Sequence, residues 1–170
     1  MFEQIFATNA ARKAGQAQNV KLMTIWFGTS YPTLIVANVL HPGANDAVRP
    51  GPAHYQHVPI PNYKAFLSKL ISLVRSPTSA YYSPETKILL ITPSPVADGL
   101  DYANSRRTWM GNEQIHGPIQ PVHLNAVTKE YAKACVDVAE AERVTVIDMH
   151  SAITEAAGGC SDEKLKAFLP

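Results

Sequence analysis

Apolar and polar positions along this chain switch between two periods. In residues 2–15, Phe2, Ile5, Phe6 and Ala10 recur at helical spacing, and the run stops at Gly15. Residues 20–27 (VKLMTIWF) are almost continuously apolar, the pattern of a strand covered on both faces. A helix is predicted over 62–75, where Tyr63, Phe66, Leu67, Leu70, Ile71 and Val74 form a single-face stripe. Residues 87–92 (KILLIT) repeat the buried-strand pattern and end at Pro93 and Pro95. A polar loop over 94–118 contains Gly111 and Gly117. Leu124, Val127, Tyr131, Cys135 and Val138 then line one face of a helix that Pro121 could open. Residues 144–149 (VTVIDM) read as a third strand, and 151–157 as a short helix before Gly158-Gly159. Alternating strand and helix argues for an α/β fold with a parallel sheet and right-handed crossovers.

Composition narrows the class. At 170 residues and 46% hydrophobic, with 17% charged, the chain is one domain over 1–170 with a sizeable core. A net charge of +1 offers no basic stripe for a phosphate backbone, which argues against nucleic acid as a partner. Cys135 and Cys160 have neither disulfide-scaffold numbers nor metal-type spacing. Met1 to Ile5 lack the basic start and apolar run of a signal peptide, and no apolar run spans a membrane. A cytoplasmic location without membrane contact is the expectation. The pattern also opens on a crossover helix and ends at residues 167–170 without a closing helix, so it reads as the middle of a fold.

The connection between the first strand and its helix is long. It runs from Gly28 to Pro61 and holds its own strand-like run at 33–40 (TLIVANVL), whereas such loops usually take about 2–6 residues. Removing the fifteen residues 29–43 joins Ile25-Trp26-Phe27-Gly28 to Ala44-Asn45-Asp46-Ala47, a buried strand ending in Gly-x-Asn-Asp. Residues 29–43 are therefore read as an insertion, arising from an unspliced or misannotated transcript. With MTIWFG and GANDAVRPG, then QHVPIPNYKAFLSKLISLVRS, ILLITPSPVADG and VTVIDMHSAI, the chain resembles the SGNH (GDSL-type) hydrolases. Within them it is similar to the isoamyl acetate-hydrolysing esterase group.

The resemblance implies a three-layer, doubly wound, flavodoxin-like α/β/α sheet, incomplete here and truncated at both ends. It implies hydrolysis of small short-chain esters through an acyl-serine intermediate, with a small ester as partner and no cofactor or metal. Such enzymes place a nucleophilic Ser in Gly-Asp-Ser, an oxyanion donor in the Asn of Gly-x-Asn-Asp, and the base in a carboxyl-terminal Asp-x-x-His. Carried over, Asn45 is the oxyanion-hole residue and Gly43 the motif glycine, with Gly28 competing for that role. Neither Gly-Asp-Ser nor Asp-x-x-His occurs in these residues, so the nucleophile and base are absent and the chain is read as inactive by itself. Serine needs a hydrogen-bonded histidine to take its proton; an oxyanion hole alone activates nothing.

Other residues have ordinary readings beside their functional ones. His41, His54 and His57 could suggest zinc, but they lie in a proline-rich loop without cysteine or carboxylate at ligand spacing. His150 and Ser151 are adjacent, so their side chains diverge; Asp148 and His150 more naturally cap the next helix or bond to the loop. Trp109 and Met110 suit an acyl pocket or loop packing equally well. Cys135 falls on an apolar stripe and Cys160 follows two glycines, one core and one exposed.

In the resembled family the nucleophile's strand pairs beside the strand corresponding to residues 20–27. Its absence would leave an apolar edge there, relieved in one of two ways. The run 33–40 could fold back as a replacement edge strand, or the edge could recruit another chain and the protein self-associate. The missing tight-turn signal between Gly28 and Thr33 favours self-association.

Overall fold

The computed structural model describes residues 6–26, 39–40, 46–47, 57–98 and 124–168. In chain order the elements are α1 (Asn9–Lys13), β1 (Leu22–Trp26), β2 (Val39–Leu40), α2 (Ile60–Arg75) and β3 (Lys87–Ile91). Then come α3 (Asn125–Glu142), β4 (Thr145–Ile147), α4 (Met149–Ala156) and α5 (Asp162–Leu165). The four strands form one sheet in the order β2-β1-β3-β4, and every pairing is parallel. The chain therefore steps from β1 to β2 on one side, then crosses to β3 and β4 on the other. That reversal is the mark of a doubly wound α/β sheet, and it bears out the expected fold class. Its switch point lies between β1 and β3, which pair from Leu22↔Lys87 to Trp26↔Ile91.

The core sits on one side of this sheet. Met23 and Ile25 of β1 and Ile88 and Leu90 of β3 point into it. Tyr63, Leu67, Ile71 and Val74 meet them from α2, as do Tyr131, Cys135 and Val138 from α3. Pro59 and Pro61 favour the start of α2, because the first helical N–H groups need no intrahelical partner. Lys64 on α2 reaches Asp137 on α3 at 2.7 Å, and Arg75 donates to the Glu142 carbonyl at 2.6 Å, so both ends of the helix pair are clasped. α3 stops at Arg143, whose left-handed φ of 52° turns the chain and lets the Val144 N–H return to the Ala139 carbonyl.

The structure corrects several expectations. β1 alternates in burial, with Leu22 51% and Trp26 38% exposed, so its continuous apolar run is not covered on both faces. Phe66, placed on the apolar stripe of α2, is 55% exposed. Of the predicted run 2–15, the described residues are helical over Asn9–Lys13, where the Thr8 hydroxyl caps the Ala11 N–H and starts the helix. Phe6 lies ahead of that cap and packs into the core, beneath the Arg12 guanidinium at 5.0 Å from its ring. Arg12 also donates to the carbonyls of Ala7, Tyr81 and Tyr82, fastening the amino-terminal segment to the turn that precedes β3. The edge of β1 is not left open along its length: Val39 and Leu40 pair with Thr24 and Ile25.

Candidate functional site

Two polar clusters stand where ligands bind in parallel sheets, at the carboxyl ends of the strands. The first surrounds Asp46, which lies between β2 and α2. The Asp46 carbonyl accepts the Val58 N–H at 3.2 Å. Tyr131, buried in the second turn of α3, donates its hydroxyl to the Val58 carbonyl and lies 3.5 Å from His57 Nδ1. Its ring meets Tyr63 edge-on at 5.0 Å and His57 at 6.5 Å. Burial raises the Asp46 carboxyl above its usual range, and the nearby His57 pulls it partly back. Burial likewise pushes the Tyr131 phenol up to about 12, assisted by the Asp46 and Glu130 charges. Tyr63 is raised further still and shares a hydrogen bond with the Cys135 thiol. Burial pushes that thiol up to about 12, against this hydrogen bond, and makes it inert at neutral pH.

The second cluster joins the exits of β3 and β4 to the start of α3. Thr92 is fully buried just past β3; its Oγ1 donates to Asp148 Oδ1 at 3.2 Å and accepts the His150 N–H at 3.1 Å. Asp148 caps α4 by accepting the Ser151 N–H at 3.1 Å. Burial pushes its carboxyl up, but hydrogen bonds from the Ser151 side chain and backbone and from Thr92 outweigh this and hold it below the usual range. His150 Nε2 lies 3.2 Å from Asn125 Oδ1. The same oxygen accepts the Val96 N–H at 3.1 Å, while the Asn125 N–H donates to Asp98 Oδ1 at 2.6 Å. Ser151 and His150 are thus turned to different partners, Asp148 and Asn125, and form no nucleophile–base pair.

Of the residues singled out in the sequence, the structure places Asp46, His57, Asp148, His150 and Ser151 on this rim. Asn45, Gly43 and Gly28 lie outside the described residues, as do His41, His54, Trp109, Met110 and Pro121. The capping role expected of Asp148 is what it performs, and Cys135 is core while Cys160 is exposed. Thr92, Asn125 and Tyr131 carry much of the rim's hydrogen bonding and were not singled out for it. Among the described residues no group of three or more His, Cys, Asp or Glu is arranged to hold a metal, and no helix is long and apolar enough to cross a membrane.

No family model matches the chain. Its similarity to individual proteins is nonetheless clear. It is 36% identical over 110 residues to a GDSL esterase/lipase of Arabidopsis thaliana, covering 64% of this chain and 41% of that protein. It is 31% identical over 114 residues to the isoamyl acetate-hydrolyzing esterase 1 homolog of Homo sapiens, covering 67% and 41%. With the Rattus norvegicus homolog it shares 28% identity over 146 residues, covering 86% and 47%. The chain is a relative of the GDSL-type esterases, and the resemblance drawn from its segments holds. The matches span less than half the length of these curated relatives.

Proposed function

We propose that these residues form the oxyanion-binding part of an SGNH-type esterase domain for small short-chain esters, and that they hydrolyse none by themselves. The observation that carries this reading is the anchoring of Asp46, the residue after Asn45, at the carboxyl rim by Val58 and Tyr131. Asn45 would offer its side-chain N–H groups to the oxygen that becomes negative when an ester carbonyl is attacked. Losing one such donor costs on the order of 100–1000-fold in rate where the rest of the machinery is present. The attack itself needs a hydroxyl whose proton a histidine accepts, and the motifs that supply both in the resembled family are missing from this sequence. Ser151 and His150 do not replace them, since one faces Asp148 and the other Asn125.

Purified chain should hydrolyse p-nitrophenyl acetate no faster than an Asn45→Ala variant or an inert protein of equal concentration. Turnover abolished by one serine substitution, with Ser151→Ala tried first, would overturn the reading. A second reading, a non-catalytic module that self-associates through its sheet edge, draws support from the apolar surface that β1 leaves open. Leu22 is 51% exposed and Trp26 38%. Light scattering on a dilution series should then show a dimer, and a monodisperse 18.5 kDa monomer would exclude it.

A further inference from the structure

The two faces of the sheet are unlike. Met23, Ile25, Ile88 and Leu90 point into the core, where α2 and α3 cover them. Because side chains alternate along a strand, the other face carries the residues between them. There the registers line up three rows from the amino to the carboxyl ends of the strands. Leu22 stands beside Lys87, Thr24 beside Leu89 and Thr145, and Trp26 beside Ile91 and Ile147. None of these eight residues is buried, and Leu22, Trp26 and Ile147 are 51%, 38% and 42% exposed. All-parallel sheets are almost always covered on both faces, and leaving apolar rows in water is unfavourable.

We propose that this face receives a second copy of the chain, the two sheets stacked face to face about a two-fold axis with their strands running in opposite directions. The proposal rests on the self-association reading and moves the contact from the edge of the sheet to its face. Charge selects both the partner and the orientation. Around the amino ends of the strands stand Lys21, Arg75, Lys87 and Arg143, against Glu85 and Glu142. Around the carboxyl ends stand Asp46, Asp98 and Asp148, while Lys129 and Glu130 offset each other. The face therefore runs from a cationic end to an acidic one, and it matches a reversed copy of itself. Antiparallel stacking about the middle row turns Lys87 toward the partner's acidic end. It also sets Leu22 against the partner's Trp26, so that a large side chain meets a smaller one. Parallel stacking would instead set Lys87 against the partner's Lys87, and like charges repel.

Size sets the strength. Three strands about 4.8 Å apart and four residue steps of about 3.3 Å, with the side chains that fringe them, make a patch of roughly a few hundred Å² per copy. A standard stable interface takes about 800 Å² from each partner. The dimer is therefore weak and reversible, formed at high concentration and lost on dilution.

Sedimentation of the intact chain from low micromolar to millimolar concentration, with methyl NMR over the same range, tests this. A reversible monomer–dimer equilibrium is expected. The Leu22, Leu89, Ile91 and Ile147 methyl signals should shift with concentration, while those of Leu67 and Ile71 in the core stay fixed. Leu22→Glu sets a carboxylate against the partner's Trp26 and acidic end, and should weaken the dimer about tenfold or more. Lys87→Gln should weaken it about two- to fivefold; strengthening would mean parallel stacking and overturn the proposal. Phe66→Ser changes an exposed ring on α2, away from this face, and should leave the dimer as it was. A chain that stays monomeric throughout overturns this face and the self-association reading together, and leaves the surface to an unlike protein or a lipid. A dimer whose face methyls do not shift, or one that Phe66→Ser removes and Leu22→Glu spares, overturns the face alone. If Leu22→Glu does not fold, the methyl shifts of the unmodified chain decide the matter.

Discussion

Removing the Tyr131 hydroxyl tests how the segment carrying the asparagine motif is held. Tyr131→Phe leaves the ring in its edge-on contact with Tyr63 and takes away only the donor to the Val58 carbonyl. An acceptor left dry costs about 1–3 kcal/mol. Val58 is half-buried, so water can reach part of the vacated position, and the lower end of about 1 kcal/mol is expected. For a chain of this size that is a fall of about 2–4 °C in Tm. The other contact of the hydroxyl, to His57 Nδ1 at 3.5 Å, lies at the long end of hydrogen-bond range, so most of the cost of Tyr131→Phe should persist in a His57→Ala background. Tyr131→Ala also empties a ring-sized volume in the core and should cost about 3–5 kcal/mol. Urea unfolding gives the three values, and exchange of the Val58 amide, bonded to Asp46, shows whether the loss is local. If Tyr131→Phe lies within about 0.3 kcal/mol of the parent with its Val58 amide equally protected, the hydroxyl holds nothing and Tyr131 serves only as packing.

Three further outcomes follow from the core and the rim. Leu67, fully buried between α2 and the sheet, should cost about 2–5 kcal/mol when replaced by alanine, read as a lower urea midpoint at unchanged slope. Asp148→Ala removes the cap of α4 and the acceptor for Thr92, for a loss of about 0.5–2 kcal/mol. Because the Asp148 carboxyl is held below its ordinary value, that contribution is present above the unfolded value and lost as pH falls through the folded one, so parent and variant should converge in stability in acid. A thiol reagent should titrate one cysteine in the native chain, Cys160, and two after denaturation, since Cys135 is buried and its thiol is pushed up to about 12.

The sheet and its two long helices were readable from periodicity because each buries a continuous stripe. Leu67, Ile71 and Val74 repeat at helical spacing and lie in the core together, and KILLI pairs in the middle of the sheet. What periodicity hid was the environment on the other side. Leu22 and Trp26 are as apolar as Met23 and Ile25, yet their pleat face is partly open. Between Gly28 and Thr33 the sequence carries no tight-turn signal for a hairpin. Val39 and Leu40 instead pair in parallel, which calls for a crossover rather than a tight turn. The asparagine motif was found by resemblance, while the bonds of Thr92, Asn125 and Tyr131 left no trace in the sequence pattern. Thr92 and Asp148 are 56 residues apart and Tyr131 and Val58 are 73 apart, so neither pair produces a local signal.

The pairing of β3 with β1 and β4 also sets an order of assembly on the ribosome. Residues 87–91 are the middle strand of both registers, and their partners lie on opposite sides of them in the sequence. The β1–β3 pair can close once β3 has left the exit tunnel, with residues 60–75 already available to cover it. The β3–β4 pair must wait for residues 145–147, and until α3 arrives α2 is, of the two long helices described, the one in place over the nascent core. Synthesis at roughly 5–20 residues per second makes that interval a matter of seconds. During it, Ile88 and Leu90 remain a sticky surface on the emerging chain, which makes the stretch between β3 and α3 the period in which a chaperone would find most to hold.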